Sequence, residues 1–257
     1  MTDQYFWADE VRNKEIDPES NPEEYFATMK YPEDHWSHIT NTKGEGEIAD
    51  ASGYESGFGY NLNLWEKEGY IFADINFVYP NSPAARAGLK RGDLITHING
   101  ERITTENYTN LYYASRLSIS LSEDEISEPY ATKELISQTY MIDPILDYGL
   151  IPVEDQRIGY LIYTDFIYHG TSSLQQLNNA FQALKAENID EFILDLRYNQ
   201  GGYIFAVRQL CSLLAPEEAV ENEELLIHKI WNNTYQAKYT DTPSQLEERF
   251  DKSVPVD

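Results

Sequence analysis

The spacing of hydrophobic and polar residues changes twice along the chain. The first stretch has helical spacing, with Tyr25 and Phe26 on one face and Asn21 and Pro22 as the signals of a helix start. Short alternating runs, typical of β-strands, begin at Gly57, and further along the chain strands alternate with longer helices. We therefore predict three parts: a helical N-terminal segment (1–46), a strand-rich domain (50–152) and an α/β domain (153–257).

The pattern of the last part predicts a β–α–β unit. RIGYLIYTDF (157–166) is typical of a strand, TSSLQQLNNAFQALKAENI (171–189) of a helix, and DEFILDLR (190–197) of a second strand. Because the second strand is almost continuously apolar, we expect it to be parallel to the first and covered on both faces. The hydrophobic pattern of residues 223–239 predicts a further pair of strands.

Gly201 and Gly202 follow the second strand and precede a helical pattern over residues 203–216. In open α/β sheets, ligands bind at this edge, where parallel strands end and helices begin. Free N–H groups at such a turn stabilise a tetrahedral oxyanion, an effect worth about 3–4 kcal/mol per donor in known enzymes. An ordinary glycine turn without a ligand is the alternative interpretation.

Residues 81–100, NSPAARAGLKRGDLITHING, contain several local signals. Ser82 is an N-cap candidate, Pro83 suits the first helical turn, and Gly88 is the expected left-handed residue after the helix. Asn99 and Gly100 predict a tight hairpin turn. The run resembles PDZ domains in the form carried by bacterial processing proteases. The matching residues are Ser82-Pro83-Ala84, Ala87-Gly88-Leu89, Gly92-Asp93, Ile95, Ile98 and Asn99-Gly100.

The resemblance to PDZ domains implies a groove that binds chain ends. These domains receive the terminal carboxylate of a peptide in a Gly-Φ-Gly-Φ loop, in which Φ is apolar, and the peptide adds to the sheet as a further strand. Small residues let consecutive N–H groups form an anion-binding nest. Taken alone, the loop would be interpreted as an ordinary strand start. The matching residues are Gly57, Phe58, Gly59 and Tyr60.

The string FILDLRYNQGG (192–202) resembles the signature of the C-terminal processing, or tail-specific, serine proteases. Members of that family have a crotonase-like α/β core, preceded by an inserted PDZ domain and a helical N-terminal segment. The resemblance therefore implies a multidomain fold of mixed α/β and β class, with a PDZ-like domain and part of the protease core. It also makes Gly201 and Gly202 oxyanion-hole candidates. The signature residues are Asp195, Leu196, Arg197, Asn199, Gly201 and Gly202.

Family members cleave with a serine that a lysine deprotonates. Their serine lies in a Ser-x-Ala-Ser-Glu-like motif well after the glycine pair, and this sequence has no such motif. Ser212, Ser244 and Ser253 follow the glycines but have the wrong surroundings. We therefore expect a portion of a serine-type endopeptidase that lacks its nucleophile and is inactive alone. The alternative is a non-catalytic peptide-binding or scaffold protein with a PDZ domain.

The amino-acid composition limits the kinds of partner and cofactor that we expect. The formal net charge of −25, from 44 acidic and 19 basic residues, disfavours nucleic acid as a partner. Polypeptide substrates with free C-termini are the partners that the resemblance implies. The five histidines are scattered, so we expect no metal site and no cofactor. The single cysteine, Cys211, excludes an internal disulfide. We interpret one acidic patch as part of a solvated loop. Its residues are Glu123, Asp124, Glu125 and Glu128.

Two stretches near the N-terminus indicate where in the cell the parent protein is located. YFWADEV (5–11) and DHWSHI (34–39) are similar to family members that are secreted or anchored to the cell envelope. The resemblance implies a periplasmic or cell-envelope location for the parent protein. The 257-residue sequence contains no recognisable signal segment and no apolar stretch long enough to span a bilayer.

Overall fold

The computed structural model describes residues 4–15, 17–39, 53–167 and 171–254. The predicted domain boundary between residues 46 and 50 lies outside these ranges. The chain divides into two units, one made of residues 1–44 and 208–257 and the other of residues 45–207. The division into three domains stays a prediction.

Both units contain helices and strands, most of them short. In chain order, the helices are α1 (Ala8–Val11), α2 (Pro22–Met29), α3 (Pro83–Arg86), α4 (Asn110–Tyr113), α5 (Thr171–Ala186), α6 (Ile204–Leu214), α7 (Glu217–Glu221), α8 (Asn233–Tyr239) and α9 (Pro243–Leu246). The strands are β1 (Tyr54–Gly57), β2 (Tyr60–Lys67), β3 (Tyr70–Val78), β4 (Leu94–Ile98), β5 (Glu101–Arg102), β6 (Arg116–Ser122), β7 (Ala131–Ile136), β8 (Gln138–Met141), β9 (Ile145–Val153), β10 (Gln156–Tyr163), β11 (Glu191–Asp195), β12 (Leu225–His228) and β13 (Glu247–Arg249).

The unit made of residues 1–44 and 208–257 joins the two ends of the chain. In its N-terminal part, Asn21 Oδ1 accepts the N–H of Glu24 at 2.9 Å, and Pro22 occupies the first turn of α2. The predicted helix start is therefore confirmed. In its C-terminal part, Asn232 Nδ2 donates to the carbonyl oxygen of Tyr5 at 2.9 Å. This bond connects the segment before α8 to the segment before α1.

The prediction of a strand pair over residues 223–239 is wrong in its second half. Strand β12 forms as expected, but α8 follows it. Asn232 Oδ1 accepts the N–H of Tyr235 at 3.0 Å and so caps the helix. The ring of Trp231 lies 6.1 Å from that of Tyr235 and 5.5 Å from that of Tyr239, contacts that helical spacing provides. The cap and the aromatic contacts outweigh the strand-like alternation.

The larger sheet of the unit 45–207 is antiparallel, with the strand order β2-β3-β4-β6-β7, and β5 pairs with β4. The local signals are confirmed: Ser82 Oγ accepts the N–H of Ala85 at 3.1 Å and caps α3. Gly88 has φ of 76°, and Asn99 and Gly100 have φ of 50° and 83°. One core joins the sheet to α3 and α4, with buried residues that include Ile75, Ile95, Ile98, Leu111, Leu117 and Ile119.

A second sheet of the same unit has the order β11-β10-β9. Strands β10 and β11 are parallel and α5 joins them, so the predicted β–α–β unit is confirmed. Phe181 of α5 contacts Phe192 of β11, with ring centroids 5.4 Å apart. The expectation that β11 is covered on both faces is wrong, because Ile193 is 48% exposed. Among the described residues, β11 ends its sheet and only one of its faces is packed.

Candidate functional site

The loop from Gly57 to Tyr60 connects β1 to β2 and is held from behind by α3 and the end of β3. The carbonyl oxygen of Phe58 accepts the N–H of Ala84 at 2.8 Å, and that of Gly59 accepts the N–H of Tyr79 at 2.9 Å. Within the described parts of the chain, the N–H groups of Phe58 and Gly59 make no hydrogen bond. Two neighbouring donors are therefore available to an anion.

Close packing explains why Gly59 is a glycine. Its φ is +81°, and a Cβ atom would lie 2.1 Å from Cβ of Ser82 and 3.2 Å from the ring of Tyr140. The hydroxyl of Ser82 also donates to the Gly59 carbonyl oxygen at 3.2 Å. The loop is thus pressed against two neighbours, and its free amides keep a fixed position.

The loop and helix α4 enclose a groove of about 650 Å³. Tyr60 Oη donates to the carbonyl oxygen of Leu111 at 2.7 Å. That carbonyl lies in the last turn of α4, where the helix leaves acceptors unpaired. Burial raises the pKa of Tyr60, so the hydroxyl stays neutral and continues to donate. The bond fixes α4 to the first residue of β2 at the end of the groove that carries the free amides.

Strand β2 is one of the two edge strands of its sheet. It pairs with β3 on one side, and no strand of the described residues occupies its other edge. The first residue of β2, Tyr60, lines the groove, and the rest of the unpaired edge continues from it. An unpaired edge of this kind is suited to an added peptide strand.

Two tyrosines and two carboxylates, all buried or half-buried, form hydrogen-bonded pairs behind the loop. Tyr140 donates its hydroxyl proton to Glu55 Oε2 at 2.5 Å, and Tyr79 donates to Asp165 Oδ2 at 2.8 Å. Burial raises the pKa of Glu55; the hydrogen bond from Tyr140 partly offsets this rise and the charge of Asp165 adds to it. Neither carboxylate forms an ion pair with a described basic residue. Sequence reasoning missed this group, because its members are far apart along the chain.

The predicted signature residues surround the turn after β11. Asp195 Oδ2 accepts from Arg197 Nη2 at 2.6 Å, and this exposed guanidinium lowers the pKa of Asp195. Asn199 Nδ2 donates to the carbonyl oxygen of Tyr163 at 3.1 Å, while its Oδ1 accepts the N–H of Gly201 at 2.8 Å. The side chain of Asn199 therefore joins the turn to the end of β10.

The two glycines differ in their surroundings. Gly202 has φ of +137°, and a Cβ atom would lie 2.1 Å from the carbonyl oxygen of Phe166; at Gly201, with φ of +102°, no atom lies within 4 Å of that position. Phe166 donates its N–H to the Gly201 carbonyl oxygen and accepts the N–H of Tyr203. Within the described parts of the chain, only the N–H of Gly202 remains free, since Asn199 occupies that of Gly201.

The serines that follow the glycine turn have structural partners. Ser212 is fully buried, donates to the carbonyl oxygen of Arg208 at 2.8 Å and accepts the N–H of Asp251 at 2.9 Å. Ser253 donates to Asp251 Oδ1 at 2.6 Å. Ser244 lies exposed in α9. Among the described residues, neither the Ser212 nor the Ser253 hydroxyl is hydrogen-bonded to a lysine.

Metal-ligating side chains do not cluster in the described ranges, where no three His, Cys, Asp or Glu side chains converge as a metal site. The helices of the same ranges are all too short or too polar to cross a bilayer.

Three family models match the chain in order. Residues 1–38 match the Peptidase S41 N-terminal domain, residues 75–114 a PDZ domain, and residues 157–252 Peptidase family S41. The chain thus contains, in this order, regions similar to an S41 N-terminal domain, a PDZ domain and an S41 peptidase. The PDZ match begins after the Gly57–Tyr60 loop, so the loop is assigned by its geometry.

Individual relatives are named as carboxyl-terminal processing proteases. The chain is 26% identical over 177 residues to a carboxyl-terminal-processing protease of Picosynechococcus, which covers 66% of this chain and 41% of the relative. It is 27% identical over 137 residues to the carboxy-terminal processing protease CtpB of Bacillus subtilis, which covers 51% of this chain and 28% of that protein. The chain thus spans less than half of the length of these relatives.

A crystal structure of an S41-family protein from Bacteroides fragilis shares the fold. It aligns with a TM-score of 0.68 at 22% identity and covers 97% of this chain and 64% of its own. The mixed α/β fold class predicted from the sequence is therefore confirmed.

Proposed function

We propose that this chain is part of a serine-type endopeptidase that recognises protein C-termini through the groove beside the Gly57–Tyr60 loop. The free N–H groups of Phe58 and Gly59, next to the unpaired edge of β2, are the observation that carries the proposal. A terminal carboxylate accepts from these donors, and the residues before it extend the sheet along β2. The family matches support hydrolysis of peptide bonds as the reaction.

Cleavage, in this proposal, uses a Ser–Lys dyad that the chain does not contain. Gly202 contributes an oxyanion donor at the carboxyl end of β11, with Gly201 as its neighbour in the turn. Asn199 holds that turn in place. A periplasmic or cell-envelope location of the parent protein belongs to the same proposal, and fractionation of cells tests it.

A binding titration tests the recognition of chain ends. One peptide is prepared with a free α-carboxylate and with an amidated end, which removes the charge. We expect the amide to bind at least about tenfold more weakly, because charge-assisted hydrogen bonds are lost. Equal affinities would refute carboxylate recognition and favour the alternative, a scaffold without a preference for chain ends.

Two glycine variants with similar backbone angles provide a control. Gly59 and Gly100 have φ of +81° and +83°, but only at Gly59 does an added Cβ atom meet other atoms within 4 Å. Gly59→Ala therefore displaces the loop as well as straining it, and we expect it to abolish binding of the free-acid peptide. Gly100→Ala carries the strain alone and should bind as the wild type does. Retained binding in Gly59→Ala would place the carboxylate elsewhere.

Hydrolysis assays test the catalytic part. We expect the 257-residue chain to leave peptides with apolar C-termini intact. The protein encoded by the full gene should cleave them, with activity that a chelator does not reduce and that depends on a serine and a lysine located after the glycine turn. Cleavage by the chain alone, or a full-length protein that is inactive or inhibited by chelators, would contradict this part.

A further inference from the structure

The segment that follows β10 is hydrogen-bonded to three different neighbours. The N–H and the hydroxyl of Thr164 donate to the carbonyl oxygen of Pro144 at 2.9 and 3.2 Å. Asp165 Oδ2 accepts the hydroxyl proton of Tyr79 at 2.8 Å. Phe166 forms the two backbone hydrogen bonds to the glycine turn. Asp165 therefore lies between a residue that is bonded to the start of β9 and the residue that holds the turn.

Tyr79 is a rigid anchor for Asp165. It is only 9% exposed, and its ring packs edge-on against that of Phe77, with centroids 5.0 Å apart. Burial raises the pKa of Tyr79, and the charge of Asp165 raises it further, so the hydroxyl keeps its proton. The phenol thus presents one donor in a fixed direction.

Stability alone does not explain a carboxylate at position 165. Removing a carboxylate from water has a cost that a single neutral donor offsets only in part, and Asp165 has no ion pair with a described basic residue. The hydrogen bond adds direction, because it fixes where residue 165 lies relative to Tyr79. The backbone continues directly into Phe166, whose carbonyl oxygen would lie 2.1 Å from a Cβ atom at Gly202. A small displacement of the segment therefore displaces the turn.

From these contacts we infer that Asp165 and Tyr79 are positioning residues for the candidate oxyanion turn. Their hydrogen bond holds the segment after β10 where Phe166 can bond to both neighbours of Gly202, and it thereby directs the free N–H of Gly202. Neither side chain has to contact substrate for this role. The inference rests on the proposed function in one respect, because it takes Gly202 as an oxyanion donor.

Hydrogen exchange of the 257-residue chain tests the positioning without an activity assay. Tyr79→Phe removes the donor and keeps the ring. We expect the Phe166 and Tyr203 amides to exchange about tenfold faster, since a charge-assisted hydrogen bond is lost beside them. Amides of β4 should change by less than about twofold. Equal acceleration of both sets would mean that the bond only stabilises the fold, and would overturn the inference.

Tyr160→Phe is the matched control. Tyr160 Oη donates to Asp147 Oδ2 at 2.9 Å between β10 and β9, so this variant loses the same kind of hydrogen bond at an exposed position. It should leave exchange of the Phe166 and Tyr203 amides unchanged. Acceleration as large as in Tyr79→Phe would contradict a specific role of the buried pair.

Two variants of Asp165 separate the hydrogen bond from the charge. Asp165→Asn keeps an acceptor for Tyr79 and should exchange within about threefold of the wild type. Asp165→Ala removes the acceptor and should match Tyr79→Phe. Wild-type exchange in Asp165→Ala would overturn the inference.

Kinetics of the protein encoded by the full gene test the consequence for catalysis. Tyr79→Phe and Asp165→Ala should lower kcat about tenfold and leave KM within about twofold, because an oxyanion donor acts in the transition state. Asp165→Asn should restore most of kcat. A rise in KM at unchanged kcat, or no change in either constant, would overturn the inference.

The two experiments distinguish failure of the proposed function from failure of the positioning. If the full-length wild type does not cleave peptides, the proposed function fails, and hydrogen exchange still decides whether the pair positions the turn. If it cleaves them but Tyr79→Phe and Tyr160→Phe exchange alike at Phe166 and Tyr203, only the positioning fails.

Discussion

Replacing Gly202 by alanine tests the close approach that positions the glycine turn. At φ of +137° an L-residue is strained, and the new Cβ atom would lie 2.1 Å from the carbonyl oxygen of Phe166. Because that oxygen belongs to the backbone, the turn itself must move. The movement breaks the two backbone hydrogen bonds between Phe166 and the neighbours of Gly202. Phe166 N–H donates to the carbonyl oxygen of Gly201 at 2.9 Å, and Tyr203 N–H donates to the carbonyl oxygen of Phe166 at 2.7 Å.

The cost of the substitution combines strain and lost hydrogen bonds. A non-glycine residue in this region of φ costs about 1–3 kcal/mol. Loss of two backbone hydrogen bonds adds about 2 kcal/mol, so the free energy of opening should fall by about 3–5 kcal/mol. Gly201→Ala is the matched control. It also has positive φ, +102°, but no atom lies within 4 Å of its Cβ position, so it should cost only the strain.

Native-state hydrogen exchange measures the effect locally. Peptides that cover β10 and β11 should lose protection in Gly202→Ala by about 2 kcal/mol more than in Gly201→Ala. Peptides that cover β3 and β4 provide an internal reference and should change little. Equal losses in the two variants would refute the close approach of Phe166 and the turn, and with it the geometry assigned to the oxyanion candidates.

Three further predictions concern capping and titration. Ser82→Ala should lower the free energy of unfolding by about 1–2 kcal/mol in urea denaturation, because the cap of α3 and the bond to Gly59 are lost; no change would mean that neither bond contributes. The folded-state pKa of Glu55 is raised above its ordinary value of 4.5. The wild type should therefore lose stability as the pH rises from 4.5 through the folded-state pKa, while Glu55→Gln should not. A difference between their thermal midpoints that does not depend on pH would contradict this. The pKa of Asp34 is held well below its ordinary value of 3.8, chiefly by hydrogen bonds from Ser37, so its contribution exists above pH about 3.8 and is lost in acid. Exchange protection of the Trp36 and Ser37 amides, which donate to Asp34 Oδ1, should therefore fall with decreasing pH in the wild type and stay constant in Asp34→Ala, and parallel pH profiles would refute this.

The elements of the PDZ-like part were predictable because their signals are local. The cap at Ser82, the left-handed Gly88 and the turn at Asn99-Gly100 lie within one stretch of the sequence, and each depends on its immediate neighbours. The β–α–β unit was predictable for the same reason, since hydrophobic spacing alone distinguishes α5 from the strands beside it.

The contacts behind the candidate site were not predictable, because they join distant parts of the chain. Tyr140 and Glu55 are 85 positions apart, and Tyr79 and Asp165 are 86 positions apart. No periodicity or spacing indicates such pairs. The apolar composition of β11 indicated two covered faces, but it carries no information about which neighbours cover them.

Amide chemical shifts test the central claim, the recognition of a terminal carboxylate, most directly. The ¹⁵N-labelled chain is titrated with the free-acid peptide and then with its amide. We predict large downfield proton shifts of the Phe58 and Gly59 amides with the free acid, because these donors then bind a charged acceptor. With the amide those two shifts should be small, although β2 still responds. Equal shifts of these two amides with both peptides, or no shift of either, would contradict carboxylate recognition by the loop.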